Sequence, residues 1–159
     1  GDHRDLHSFP ARRSSDLAEA VIEMLDYAGI DIKGKRVTVV GRSLVIGKPV
    51  TMLLMRRNAT VTVCHTKTVD MKECCRNAEI LVAAAGCAHM IKPDYVSEGA
   101  VVIDVGINVD EDGNLCGDVD LEDVTGNASV CTPVPGGVGS VTTSVLAKHL
   151  LKAAKARKA

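Results

Sequence analysis

Apolar residues in this chain recur in two rhythms. Between Asp16 and Gly29 they follow helical spacing, with Leu17, Val21, Ile22, Met24 and Leu25 on one face. Asp16 is placed to cap that helix with Glu19 at its third position, and Gly29 to close it as a left-handed residue. Lys33-Gly34-Lys35 reads as a turn. Short unbroken runs rich in Val and Ile then alternate with polar helical stretches. Arg36 to Val40, Val61 to Cys64, Ile80 to Ala85 and Val101 to Val105 predict buried strands, and Ser129 to Thr132 a last short one. Between them, Pro49 to Arg57 predicts a helix with Pro in its first turn, and Met71 to Asn77 a shorter helix. Asp112-Gly113 predicts a hairpin turn joining Ile107 to Val109 with Leu115 to Val119. Ser140 is placed to cap a long helix from Val141 to about Lys155.

Strand and helix in alternation with short links imply an α/β fold: a Rossmann-like, doubly wound, mostly parallel sheet with helices on both faces. The 159 residues fit one domain, taken as residues 17–156. The stretch before it, residues 1–16, has no usable periodicity and reads as an irregular leader, disordered or foreign to the domain. No internal repeat is present.

Composition narrows the picture. Hydrophobic residues are 46% of the chain but aromatic residues only 2%, with no Trp, so the core must be aliphatic. Nineteen basic against twenty acidic residues give a net charge of −1, which argues against a nucleic-acid backbone binder. No apolar run is long enough for a bilayer span and no signal-peptide core is present. The six cysteines form no Cys-x-x-Cys pair and no zinc-finger spacing, so free structural thiols are expected rather than a metal site. The expected setting is a reducing one, the cytoplasm or an organelle matrix.

Candidate chemistry concentrates after the first strand. In Gly41-Arg42-Ser43-Leu44-Val45-Ile46-Gly47-Lys48-Pro49, a glycine-bearing turn runs from strand to helix, the arrangement that brings a pyrophosphate to a helix N-terminus. Ser43 stands where the common dinucleotide pattern has its second glycine, and can offer a hydroxyl there. The same turn could be purely structural. Units that prefer NAD place an acidic residue about 20 positions on, to hold the adenosine ribose. From Gly41 to Val69 no acidic residue occurs, and the second strand runs into Cys64-His65-Thr66-Lys67-Thr68. Arg42 and Thr66, with Lys67 beside them, could clasp a 2′-phosphate, which favours NADP. His65 reads as a loop residue rather than a catalyst, and His89 and His149 carry less signal still. Ala85-Gly86, Asp104-Val105-Gly106-Ile107-Asn108 and Pro133-Val134-Pro135-Gly136-Gly137-Val138-Gly139 fall on the same sheet edge, at the carboxyl ends of the strands.

Five of these strings, GRSLVIGKP, CHTKT, VVIDVGIN, GDVD and TPVPGGVG, occur in that order. Together they resemble the C-terminal half of the bifunctional methylenetetrahydrofolate dehydrogenase/methenyltetrahydrofolate cyclohydrolase family, from about Leu17 to Leu151. The resemblance implies oxidation of 5,10-methylenetetrahydrofolate with NADP and hydrolysis of the methenyl product to 10-formyltetrahydrofolate. It implies that Gly41, Arg42 and Ser43 bind the cofactor, that Thr66 lies at the 2′-phosphate, and that Ile107 meets the cofactor through its backbone. It places PVPGGVG where nicotinamide meets folate, and makes a homodimer the expected assembly.

The family's catalytic lysine, in a Tyr-x-x-x-Lys motif, belongs to an N-terminal domain that has no counterpart here: Tyr27 is followed by Asp31 and Tyr95 by Gly99. A Pro-Cys-Thr-Pro stretch expected before the first helix is replaced by the leader, and Ser140-Val141 stand where the family has Pro-Met. No catalytic residue is therefore assigned, and the chain alone is expected to be inactive on folate. A free-standing NADP-binding module or sensor is the alternative. A shikimate dehydrogenase relative fits the PVPGGVG string poorly.

Overall fold

A computed structural model describes residues 12–156, with side chains from Asp16 onward. Its strands form where small and β-branched residues run unbroken: β1 (Arg36–Val40), β2 (Thr60–Cys64), β3 (Ile80–Ala83), β4 (Val101–Asp104) and β7 (Val130–Cys131). Between β4 and β7 lie the two short strands β5 (Asn108–Val109) and β6 (Leu115–Cys116). The helices are α1 (Arg12–Tyr27), α2 (Gly47–Arg56), α3 (Met71–Arg76), the single turn α4 (Leu121–Val124) and α5 (Val138–Ala156), with a 3₁₀ turn at Pro93–Tyr95.

Five strands form one parallel sheet in the order β2-β1-β3-β4-β7, and β5 and β6 pair as a separate antiparallel hairpin. The chain leaves β1 for β2 on one side and returns to β3 on the other, so a topological switch point lies between β1 and β3. Register is level across this part of the sheet. Val40 pairs with Cys64 and with Ala83, and Ala83 pairs with Asp104. The residues that follow these four therefore emerge along one rim.

In β1, β3 and β4 successive side chains enter different cores, as the period of two requires. Val37, Val39, Ile80, Val82, Val101 and Ile103 pack with Val21, Leu25, Val50, Leu54 and Val145 of α1, α2 and α5. Val40, Leu81, Ala83 and Val102 pack on the opposite face with Cys75, Val96, Val119 and Val124. Polar Thr38 survives on that second face because its hydroxyl donates to the Cys74 carbonyl at 2.9 Å. The expected Rossmann-like, doubly wound sheet with helices on both faces is the one observed.

Three local expectations are corrected. Helix α1 begins at Arg12, so Asp16 is an internal residue and not its cap. Nothing between Pro10 and Asp16 breaks a helix; residues 1–11 of the expected leader lie outside the described residues. Helix α5 begins at Val138, so Ser140 is likewise internal. Val138 is buried and Gly137 lies against the Pro133 carbonyl, which draws the first turn inward ahead of the serine. The hairpin is shorter than its apolar pattern suggests, because the N–H groups of Gly106, Asp118 and Val119 bond to the Asp104 carboxylate instead of extending the ladder.

Asp16 is 3% exposed and faces α5, where His149 Nδ1 lies 2.5 Å from its carboxylate and Nε2 lies 2.7 Å from Glu19. Lys148 pairs with Glu23 beside them. Burial by itself would lower the His149 pKa, but the hydrogen bonds and charges of Glu19 and Asp16 outweigh it and raise it above 6.5. The imidazolium thus stabilises the α1–α5 contact fully below the unfolded value of 6.5, and that contribution is lost as pH rises through the higher folded value. His149→Gln should cost on the order of 2 kcal/mol near pH 6 and markedly less near pH 9, since it leaves a buried carboxylate poorly paired. Urea unfolding of both proteins at the two pH values checks this. Parallel pH profiles for parent and variant would exclude the coupling.

Candidate functional site

The loop after β1 is shaped by backbone contact. Gly41 has φ +123°, and a Cβ there would lie 2.0 Å from the Ala84 carbonyl oxygen at the end of β3. A Cβ on Gly47 would lie 2.3 Å from the Gly41 oxygen. These two glycines let the loop fold back on itself across the switch point. Ser43 secures the turn into α2: its hydroxyl oxygen accepts the N–H of Ile46 at 3.2 Å and of Gly47 at 3.4 Å. Its carbonyl accepts the N–H of Lys48 at 3.0 Å. The hydroxyl keeps its own proton to donate outward.

The N–H groups of Arg42, Ser43, Leu44 and Val45 make no hydrogen bond among the described residues, and these four residues are exposed. A run of open amides beside a helix N-terminus, with an arginine among them, is suited to an anion.

Thr66 and Lys67 are exposed on the next loop, beyond β2. That loop is closed by its own bonds. The His65 N–H donates to Thr68 Oγ1 at 2.9 Å, and the Lys67 N–H donates to His65 Nδ1 at 3.1 Å. His65 therefore shapes the turn that presents Thr66, in keeping with its reading as a loop residue.

Ile107 lies farther along the rim, past β4, and is 66% exposed. It lines a cleft of about 250 Å³ with Val105, Gly106, Leu115 and the Pro133–Ser140 segment. The five sequence-derived site residues thus share one rim but not one point. Gly41, Arg42 and Ser43 stand over β1, Thr66 over β2 and Ile107 over β4. From β2 to β4 is three strand spacings, roughly 14 Å. That arrangement suits an elongated ligand lying across the strand ends, with its anionic middle at the switch point.

Two buried carboxylates organise the β3–β4 part of the rim, and sequence reasoning assigned neither a role. Asp118 is 0% exposed and accepts the N–H groups of Ala85 at 2.6 Å, Gly86 at 3.0 Å and Cys87 at 2.9 Å. It also accepts from the Asn108 side chain at 2.9 Å. Asp104 accepts the N–H groups of Gly106 at 2.8 Å, Asp118 at 3.1 Å and Val119 at 2.9 Å. Burial pushes the Asp104 carboxyl above the ordinary carboxylate range. The N–H groups of Val119, Asp118 and Gly106 hold it down in part, and the Asp118 charge adds to the rise. Only glycine fits beside these groups: a Cβ on Gly106 would meet Asp118 at 2.3 Å, and one on Gly117 would meet Asp104 at 1.9 Å. The strings DVGIN and GDVD are the two halves of this arrangement. The only hint in the sequence was an acidic residue within two positions of a glycine, twice.

The cysteines are free thiols. Burial pushes Cys64 up to about 11 and Cys75 up to about 12, so both stay protonated and behave as core side chains. Among the described residues no helix is long and apolar enough to cross a membrane, and no group of three or more His, Cys, Asp or Glu could hold a metal ion.

A parallel sheet with its switch point at a glycine-bearing strand-to-helix turn defines the chain as a dinucleotide-binding α/β domain. Comparison with known proteins narrows the class. Residues 16–158 match the model of the tetrahydrofolate dehydrogenase/cyclohydrolase NAD(P)-binding domain, and the chain belongs to that family. The bifunctional protein FolD of Clostridioides difficile is 58% identical over 136 residues, covering 86% of this chain and 47% of the relative. The crystal structure of the Campylobacter jejuni bifunctional enzyme FolD superposes with a TM-score of 0.86 at 42% identity, covering 89% of this chain and 50% of that one. The Trypanosoma brucei FolD, solved in complex with NADP cofactor and inhibitor, gives 0.79 at 42% identity, covering 86% of this chain and 48% of that one. The chain thus spans about half the length of the relatives it matches.

The glycine contacts generate a graded expectation. Gly41→Ala should cost at least about 3 kcal/mol, because the new methyl meets backbone that cannot move away. Gly86→Ala has open space around its Cβ but a φ of +68°, and should cost only about 1 kcal/mol. Denaturant unfolding of the two variants measures the difference, and equal costs would show that the β1–β3 contact is not rigid.

Proposed function

We propose that this chain is the NADP-binding half of a methylenetetrahydrofolate dehydrogenase/methenyltetrahydrofolate cyclohydrolase. The observation that carries the cofactor assignment is the loop Gly41–Val45, with its open amides and Arg42, facing a β2 end that bears no carboxylate from Gly41 to Val69.

In this reading the pyrophosphate lies over the amides at the start of α2, where the Ser43 hydroxyl donates to it. Arg42 and Thr66 hold the 2′-phosphate, Arg42 as a charged fork and Thr66 through its hydroxyl. The Ile107 backbone and the cleft beside it receive the nicotinamide end. When bound, NADP would supply the hydride acceptor for the folate carbon. The chain's own contribution is to orient the cofactor and keep water from the face lined by Val105, Ile107, Leu115 and Val134.

Folate oxidation and hydrolysis require a second set of groups across the cleft. The two tyrosines here, Tyr27 and Tyr95, are followed at the fourth position by Asp31 and Gly99, so neither forms the Tyr-x-x-x-Lys pair of the catalytic domain. The chain alone binds cofactor without turning over folate, and forms dimers of the kind expected of the family. A free-standing NADP-binding module makes the same binding prediction; it parts from this reading when a separately supplied N-terminal family domain fails to restore folate turnover.

Titration of the chain with NADPH and NADH, followed by nicotinamide fluorescence, tests the assignment directly. NADPH should bind saturably and more tightly than NADH. Arg42→Ala should weaken NADPH by about 10- to 100-fold, the worth of one charged hydrogen-bonded contact, and leave NADH nearly unchanged. A folded parent that binds neither nucleotide would overturn the proposal.

A further inference from the structure

The proposed cofactor site leaves unexplained why two carboxylates are buried against one another at the β3–β4 rim. Neither faces the cleft as a free acid. Asp118 spends its lone pairs on three consecutive N–H groups of Ala85, Gly86 and Cys87 and on the Asn108 side chain. Asp104 in turn holds the backbone N–H of Asp118 and of the neighbouring Val119. It also holds Gly106, two residues beyond itself. The result ties the loop after β3, the segment after β4 and the Gly117–Val119 segment to one another.

We propose that Asp118, seated on Asp104, is a positioning residue that fixes the nicotinamide-side wall of the cleft by locking the Ala85–Cys87 loop to the Gly106–Asn108 segment. The inference rests on the cofactor reading above, which lays the adenosine end over β2 and the pyrophosphate over β1. The sheet order β2-β1-β3-β4 then leaves the β3 and β4 loops for the nicotinamide half. Without the carboxylate, three adjacent amides of the β3 loop lose their acceptor together, and Asn108 loses its anchor. Ile107, the residue between Gly106 and Asn108, would then lose the register that presents its backbone.

A merely structural role would lower stability and weaken every ligand alike. A positioning role divides the ligand in two. Asp118→Asn should raise the dissociation constant for NADPH at least tenfold while changing that for 2′-phospho-ADP-ribose, which lacks nicotinamide, by less than about twofold.

Amide hydrogen exchange supplies a readout that needs no ligand. The N–H groups of Ala85, Gly86 and Cys87 should be protected in the parent and exchange faster in the variant, while β1 amides stay unchanged. Asn108→Ala, which removes one donor and leaves the carboxylate in place, should shift NADPH binding in the same direction by a smaller factor. It carries the test if Asp118→Asn fails to fold.

Equal weakening of both ligands, or unchanged NADPH affinity, would overturn the inference while leaving the cofactor assignment standing. Exchange protection unchanged in both variants would overturn it whether or not the parent binds nucleotide. A parent that binds neither ligand would instead defeat the cofactor assignment.

Discussion

The ends of a parallel sheet present a problem that the rest of this structure depends on solving: backbone N–H groups that leave the ladder must find acceptors before they reach solvent. At the β3–β4 rim the solution is two buried carboxylates that accept six backbone N–H groups between them. The charges are costly to bury, and burial raises the Asp104 pKa accordingly. Charge-assisted bonds to fixed peptide groups offset that cost and convert flexible loops into a defined edge. Four glycines make the arrangement possible across the rim, two at the switch point and two beside the carboxylates.

Beneath that edge the sheet is uniform. The inner strands β1, β3 and β4 send alternate residues into two aliphatic cores, one under α1, α2 and α5 and one under the smaller elements of the other face. Because register is level from β2 to β4, the strand ends form a straight rim on which loop chemistry can be arranged in a row. The helix pair α1–α5 closes the first core, and its charged contact through His149 couples that closure to protonation.

Much of this was legible in the sequence where local signals were strong. Strand β1 spans Arg36–Val40 as the Val-rich pattern suggested, and β3 and β4 start at Ile80 and Val101 as expected. Both faces of these strands are buried, so hydrophobicity alone marks them. Helix starts were less legible. Asp16 and Ser140 carry the chemistry of caps, yet both lie inside helices that begin at Arg12 and Val138. Asp16 instead answers to His149, a residue 133 positions away, which no local pattern could pair with it. The carboxylates at Asp104 and Asp118 escaped for the same reason. Their donors lie up to 33 residues distant, and an acid close to a glycine resembles any turn. Of the rim, the loops after β1, β3 and β4 could be placed on one edge from the strand pattern, while the carboxylate contacts that tie the last two together could not.

The floor of the switch point is main chain meeting main chain, at Gly41 against Ala84 and at Gly47 against Gly41. Side chains such as Arg42 and Thr66 stand above that floor and contribute nothing to its packing. Variation in a lineage is therefore divided unequally. Substitutions at the floor are eliminated by the fold itself, whatever the ligand, while the exposed positions above it can change one at a time without passing through an unfolded ancestor. Selectivity at this rim can drift on a scaffold whose geometry is held constant by its own backbone.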